Sequence, residues 1–173
     1  YTSRDHITRR QILRNVAEQV RETVNFAVPE DNGMNYIDRV ETDWAFRIQL
    51  PIGTNVPFHC TASGKCFLSS LKKREINGIL SSIKLEAITE KTHVTPEGLM
   101  QELNQIKKQG YALDREEFME GMIAIAVPIK DKEDRFVGAL AFHGPTQRIS
   151  IENAIARKEI LLSASQKLRE HLF

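Results

Sequence analysis

Two almost uninterrupted apolar runs, Gly121–Ile129 and Phe136–Phe142, are held apart by six consecutive charged residues, Lys130–Arg135. Runs of this length, bounded by turn residues, suit buried strands. The charged segment between them suits only a solvated turn. The pattern predicts two neighbouring buried strands, with Gly144-Pro145 closing the second.

The rest of the chain must supply what covers such a pair. Residues 6–20 read as a helix: Leu13, Val16, Ala17 and Val20 share one face, Thr8 and Gln11 have capping-box spacing, and the opposite face is basic. Thr23–Val28 and Tyr36–Val40 read as short strands around the turn segment 29–33. A third run, Ala45–Leu50, ends at Pro51-Ile52-Gly53. Small and hydroxyl residues predict a helix start near Ala62–Gly64, and a second helix covers Lys73–Ser81. Thr95-Pro96-Glu97 combines an N-cap, a proline at the first helical position and an acid in the first turn. Leu99, Leu103 and Ile106 give that helix its buried stripe, and Gly110 ends it. Ser150 caps a last helix. Strands outside a strict βαβ alternation predict an antiparallel sheet with helices packed on it, an α+β domain.

Composition narrows the function. The 173 residues carry 24 basic and 23 acidic side chains, and 41% of residues are hydrophobic. A balanced charge argues against this segment itself gripping nucleic acid over a wide surface. No apolar stretch approaches the roughly 18 residues of a membrane helix. Arg4, Arg9, Arg10 and Arg14 break any signal-peptide pattern. Two cysteines, Cys60 and Cys66, match neither a disulfide framework nor a zinc motif, so a reducing, cytoplasmic setting is expected. The chain begins at Tyr1, and a further upstream segment is expected.

Few residues point to chemistry. Gly64-Lys65 sits in a failed phosphate loop, with His59 and Cys66 at positions that require Gly and Ser or Thr. A thiol enzyme would need Cys60 or Cys66 beside His59 or His143, oriented by Asp114. Yet Cys66 falls on a helix's inner face, and Cys60 and His59 point to opposite sides of an extended segment. His59, Cys60, His93, Asp114 and His143 form the pool for a metal, without ligand spacing, so neither a metal nor a cofactor is expected. In Val56–Gly64, Thr61 or Ser63 either caps a helix or helps its free N–H groups meet an anion. Asp114, three residues before Glu117, is either a cap or an acceptor for ligand hydroxyls. His143 is either a satisfied core histidine or a group reaching into a cavity.

Taken in order, Pro57-Phe58-His59-Cys60-Thr61-Ala62-Ser63-Gly64-Lys65, Gly110-Tyr111-Ala112-Leu113-Asp114-Arg115-Glu116-Glu117, Gly121, Ile125-Ala126-Val127-Pro128 and Gly144-Pro145 resemble the effector-binding domain of the IclR family of bacterial transcriptional regulators. The resemblance covers nearly the whole chain. It implies a GAF-like fold, a curved antiparallel sheet with helices on it. Residues 1–20 would be the remnant of a linker helix leading to a winged helix-turn-helix outside this chain, and residues 21–173 the effector domain. It further implies a homodimer or homotetramer, no enzymatic activity, and operator DNA bound only through that N-terminal domain. The ligand would be a small organic acid larger than two or three carbons. Its pocket would be lined by Val56, Ala62, Ser63, Asp114, Ala124, Ala141 and His143. The N–H groups of Ala62 and Ser63 would hold a carboxylate, Asp114 would accept from a hydroxyl, and His143 would pair with an acid or donate to a carbonyl. His59 would be structural, bonding across its loop. A thiol enzyme and a ligand-free oligomerisation module are the competing readings.

Overall fold

A computed structural model describes residues 3–46, 48, 50 and 52–173. Among these, six strands form one antiparallel sheet. In chain order the elements are α1 (Ser3–Val20), β1 (Thr23–Glu30), β2 (Gly33–Val40), β3 (Asn55–Val56), α2 (Ala62–Ser69), α3 (Lys73–Ser82), α4 (Pro96–Gln109), β4 (Ala112–Arg115), β5 (Met122–Lys130), β6 (Phe136–Pro145), α5 (Ile151–Ala156) and α6 (Lys158–Leu172). The strand order is β3-β2-β1-β6-β5-β4. The two apolar runs pair along their length, from Met122 opposite Pro145 to Lys130 opposite Phe136, and lie at the centre as β5 and β6.

Strand geometry sends successive side chains to opposite faces, and here it sorts them by size. Ile123, Ile125, Val127, Leu140 and Phe142 point to one face, where Leu13, Val16 and Val20 of α1 and Leu161 and Leu168 of α6 cover them. Ala112, Ala124, Ala126, Ala139 and Ala141 point to the other, beneath α2 and α4. Branched side chains hold α1 and α6 away from the sheet. Methyl groups let α2 lie close.

Several sequence expectations shift. α1 starts at Ser3, so Thr8 lies inside the helix and cannot cap it. Its basic side is not all solvent-facing, because Arg9 is buried. Leu13, Val16, Ala17 and Val20 of α1 pack into the sheet's core cluster, as their spacing indicates. β1 runs on through Pro29 to Glu30. Pro29 lies beyond the β1–β6 register, where its lack of an N–H costs no bond to β6. Of the strand expected over 45–50, Ala45, Phe46, Ile48 and Leu50 have no strand assignment, and Arg47, Gln49 and Pro51 lie outside the described residues. Among the described residues the third strand is Asn55–Val56. Gly144-Pro145 closes β6 as expected, forming its last two residues. The last helix breaks at Arg157 into α5 and α6. Thr95 and Gly110 cap α4 as the sequence indicates, with Gly110 left-handed at φ 86°. Among the described residues no helix is long and apolar enough to cross a membrane.

The two faces should respond oppositely to volume. Ile125→Ala should cost about 2–5 kcal/mol by leaving a cavity. Ala126→Leu, which adds apolar bulk, should still cost about 1–3 kcal/mol because it pushes α2 off the sheet. Urea denaturation checks both, and a stabilised Ala126→Leu would contradict the close seating of α2.

Candidate functional site

The first turn of α2 is built by its own loop. Thr61 Oγ1 donates to Pro57 O (2.7 Å) and accepts from Gly64 N (3.0 Å). Gly64 must be glycine, since a Cβ there would stand 2.5 Å from Phe58 O. This cap satisfies the third helical N–H. The N–H groups of Ala62 and Ser63 have no intrahelical acceptor, and the buried Ser63 Oγ has no partner. These groups face a small cavity, lined also by Asn25, Tyr36, Asp114, Met122, Ala124, Ala141 and His143. Its volume is about 10 Å³, room for about one water. Wider grooves, about 680 Å³ beside Trp44 and about 610 Å³ beside Phe118, lie elsewhere on the surface.

Asp114 lies on β4 opposite Ala124. Its Oδ1 accepts from Glu117 N (2.8 Å), the bond expected of a cap, but bends and a turn follow in place of a helix. Burial pushes its carboxyl up to about 7, with the Glu117 and Phe118 N–H groups pulling against it. Glu117 carries the adjacent ion pair. Both its oxygens accept from Lys65 Nζ (2.7 and 2.8 Å), which is fully buried and also donates to Glu102. Burial raises Glu102, but Lys65 and His93 together hold it below the usual carboxylate range. His93, Glu102 and Glu117 bring ligand-type atoms within 4.8 Å of one another, yet Lys65 already supplies that cluster with its cation.

His143 lies on β6 opposite Ala124. Its Nε2 contacts Ile48 O (3.1 Å), and a carbonyl only accepts, so Nε2 carries the hydrogen. Nδ1 therefore accepts from Asn25 Nδ2 (3.0 Å), and Asn25 Oδ1 accepts from Arg39 Nε (3.0 Å). Burial, helped by Arg39 and opposed by the Ile48 carbonyl, lowers the ring to about 4. His143 is thus a neutral, fully bonded wall, and pairing with an acid would require breaking one of these bonds. Burial and the nearby Asp114 push the Tyr36 phenol well above its ordinary range.

Of the residues singled out from sequence, Ala62, Ser63, Asp114, Ala124, Ala141 and His143 line this one cavity. Val56 is buried in the same core cluster but is not among the lining residues. Asn25, Tyr36 and Met122 also line it and escaped the sequence reading; Thr61, weighed there as a cap or an anion partner, lines it too and caps α2. The only sequence signal for Asn25 is an amide inside an apolar strand. His59 is structural in a different way from that expected: its Nε2 donates to Glu86 O in the segment between α3 and α4 (2.9 Å), not across its own loop. Cys60 and Cys66 are buried free thiols, and burial raises each to about 12. That opposes a reactive thiolate and with it the thiol-enzyme reading.

Removing Lys65 leaves two facing carboxylates, so Lys65→Met should cost about 3–5 kcal/mol in urea melts. Asp114 and His143 pull stability in opposite directions with pH. An unfolded histidine takes a proton below about 6.5 and the folded ring only near 4, so this contribution falls by roughly 3 kcal/mol as pH drops through that window. Folded Asp114 keeps its proton from about 4 to 7 where the unfolded chain loses it, so its contribution falls by roughly 4 kcal/mol as pH rises. Asp114→Asn should therefore be more stable than wild type at pH 8 and gain stability from pH 4.5 to 6.5. Urea midpoints at three pH values decide it, and a variant destabilised at pH 8 contradicts the buried-carboxyl account.

The comparisons with known proteins agree with this geometry. The family described as bacterial transcriptional regulator IclR C-terminal matches residues 2–170. A curated relative, the probable transcriptional regulator SauR of Cupriavidus necator, is 34% identical over 144 residues, covering 83% of this chain and 57% of that protein. The chain thus spans less than three fifths of the length of the curated relatives it matches first. The solved C-terminal domain of the Escherichia coli regulator KdgR superposes with a TM-score of 0.84 at 28% identity, covering 94% of both chains. An IclR homolog from Microbacterium hydrocarbonoxydans, solved in complex with 4-hydroxybenzoate, shares the fold with a TM-score of 0.83 at 23% identity, covering 96% of this chain and 67% of that one. With its helix-capped cavity, its half-barrel sheet and a match from residue 2 to 170, the chain belongs to the IclR family of bacterial transcriptional regulators, a family of regulators and not of enzymes, and is its C-terminal, effector-binding domain.

Proposed function

We propose that this domain senses a small organic acid between α2 and the sheet and passes its occupancy to a DNA-binding domain outside this chain. The observation that carries the reading is Ser63. A buried hydroxyl without a partner costs about 1–3 kcal/mol, and Ser63 Oγ is such a group. It stands beside two first-turn N–H groups at the positive end of a helix. A carboxylate oxygen satisfies all three at once. Asp114, whose carboxyl burial pushes up to about 7, is about half protonated at pH 7 and accepts from a ligand hydroxyl without opposing the ligand's charge in full. Ala124 and Ala141 make the floor. The likeness to a homolog complexed with 4-hydroxybenzoate supports the acid class.

The cavity volume sets the mechanism. With room for about one water, a larger acid enters only as α2 or Tyr36 moves off the sheet. Ligand then favours the more open packing and shifts the population by its differential affinity for the two packings. In the cell the regulator works as a cytoplasmic homodimer or homotetramer and meets operator DNA through its N-terminal domain, with α1 as the linker.

A thermal-shift screen against sugar acids, aromatic acids and short keto and hydroxy acids tests the reading. An acid at about 100 times its Kd adds roughly 2.7 kcal/mol. The expected result is a selective hit that Ser63→Ala and Asp114→Ala both lose. Hits among cations alone, or none at all, would overturn it and favour an oligomerisation module.

A further inference from the structure

Neighbouring residues of β2 look through the sheet in opposite directions. A bulge between Phe26 and Ala27 leaves Ile37 unpaired, so Tyr36 pairs with Ala27 and Asp38 with Phe26. Tyr36 therefore lies on the cavity face and Asp38 on the α1 face. Asp38 Oδ2 accepts from Arg9 Nε (3.0 Å) and Oδ1 from Arg10 Nη1 (2.6 Å). Arg39 pairs with Asn25 on the α2 side of the sheet; it stands behind the cavity lining, to which Asn25 belongs, and its Nε holds the Asn25 carbonyl oxygen that positions His143. Its backbone serves α1: the Arg39 N–H donates to Asp38 Oδ1 (2.8 Å) and the Arg39 carbonyl accepts from Arg10 Nη1 (2.6 Å). Arg39 is only 8% exposed, and its Nη2 has no hydrogen-bond partner.

We propose that Arg39 couples the cavity to α1: an acid in the cavity recruits its unpartnered Nη2, and the resulting shift of β2 loosens or tightens Asp38 on Arg9 and Arg10. The proposal rests on the acid-sensing reading for its ligand but not for its link. A buried guanidinium without a full partner set is a strong attractor for a carboxylate. Only two residues, Asp38 and Arg39, separate the cavity wall from the linker helix, so no long pathway is needed. The two-state element that both ends bias is the seating of the first half of α1 on β2.

The test uses this whole chain. Without ligand, Arg39→Gln should speed amide exchange at residues 9–12 about tenfold and leave 160–168 unchanged, with Arg39→Lys partly restoring protection. In the reverse direction, Asp38→Asn should move the NMR signals of the Asn25 side-chain amide and the His143 Nε2–H. Val16→Ala, which loosens α1 in its apolar contacts, should leave those two signals in place. Unchanged exchange in Arg39→Gln, or equal shifts in Val16→Ala, overturns the link. With 4-hydroxybenzoate, gluconate and pyruvate as probes, Arg39→Gln should bind the acid that shifts wild type at least tenfold more weakly. Equal binding overturns Arg39 as the contact. If no probe shifts wild type yet both ligand-free arms couple, the acid-sensing reading falls and the link stands.

Discussion

The close seating of α2 on a floor of alanine methyls governs the rest of the molecule. Ala124, Ala126, Ala139 and Ala141 let the helix approach the sheet, and Lys65, paired with Glu117, ties it to the loop after β4. A buried pair of this kind adds little net stability against an apolar substitute. It fixes position. Glu117 also accepts from the Arg115 N–H, while Thr92 donates to the Glu117 carbonyl, so the pair anchors a whole corner. That corner sets Asp114 opposite the first turn of α2.

Polar groups around the cavity divide into the satisfied and the unsatisfied. Asn25 and His143 complete each other's bonding and reach the 48 carbonyl. Ser63 Oγ and Arg39 Nη2 do not find partners. Native proteins leave few such groups, because each forgoes the compensation for its desolvation. Both belong to residues on the α2 side of the sheet, which makes that side the place where a ligand gains most. Asp114 adds a tension of its own, since burial opposes its charge more strongly than its two N–H partners favour it.

These features suit a switch of low energetic cost. The face covered by α6 and the second half of α1 is packed with branched side chains and resists change. The α2 face holds small residues, a hydroxyl and charges whose pairing changes with modest movement. A ligand needs only to differ by a few kcal/mol in its affinity for two seatings of α2. Asp38 and Arg39 stand where such a movement crosses the sheet, because neighbouring strand residues face opposite sides.

The sequence by itself determined the secondary elements with strong local signals. Thr95-Pro96-Glu97 and Gly110 bound α4, and the Lys130–Arg135 break sets the β5–β6 turn, because caps and turns are written in a few adjacent residues. It also marked most of the cavity lining through motif order. The alternation of alanine with branched residues in Met122–Val127 was legible, and with it the size difference between the faces. Other features had no local signal. The strand at Asn55–Val56 exists because Met34 and Asn35 lie beside it, and the apolar run over 45–50 gave no hint of it. Asn25 and Tyr36 reach the cavity, and Arg39 reaches Asn25 behind it, through cross-strand register and a bulge, and Arg9 turns inward because Asp38, twenty-nine residues away, meets it. The size and satisfaction of the cavity were decided by tertiary structure alone, since whether a buried polar atom finds a partner depends on what packing brings within about 3 Å of it.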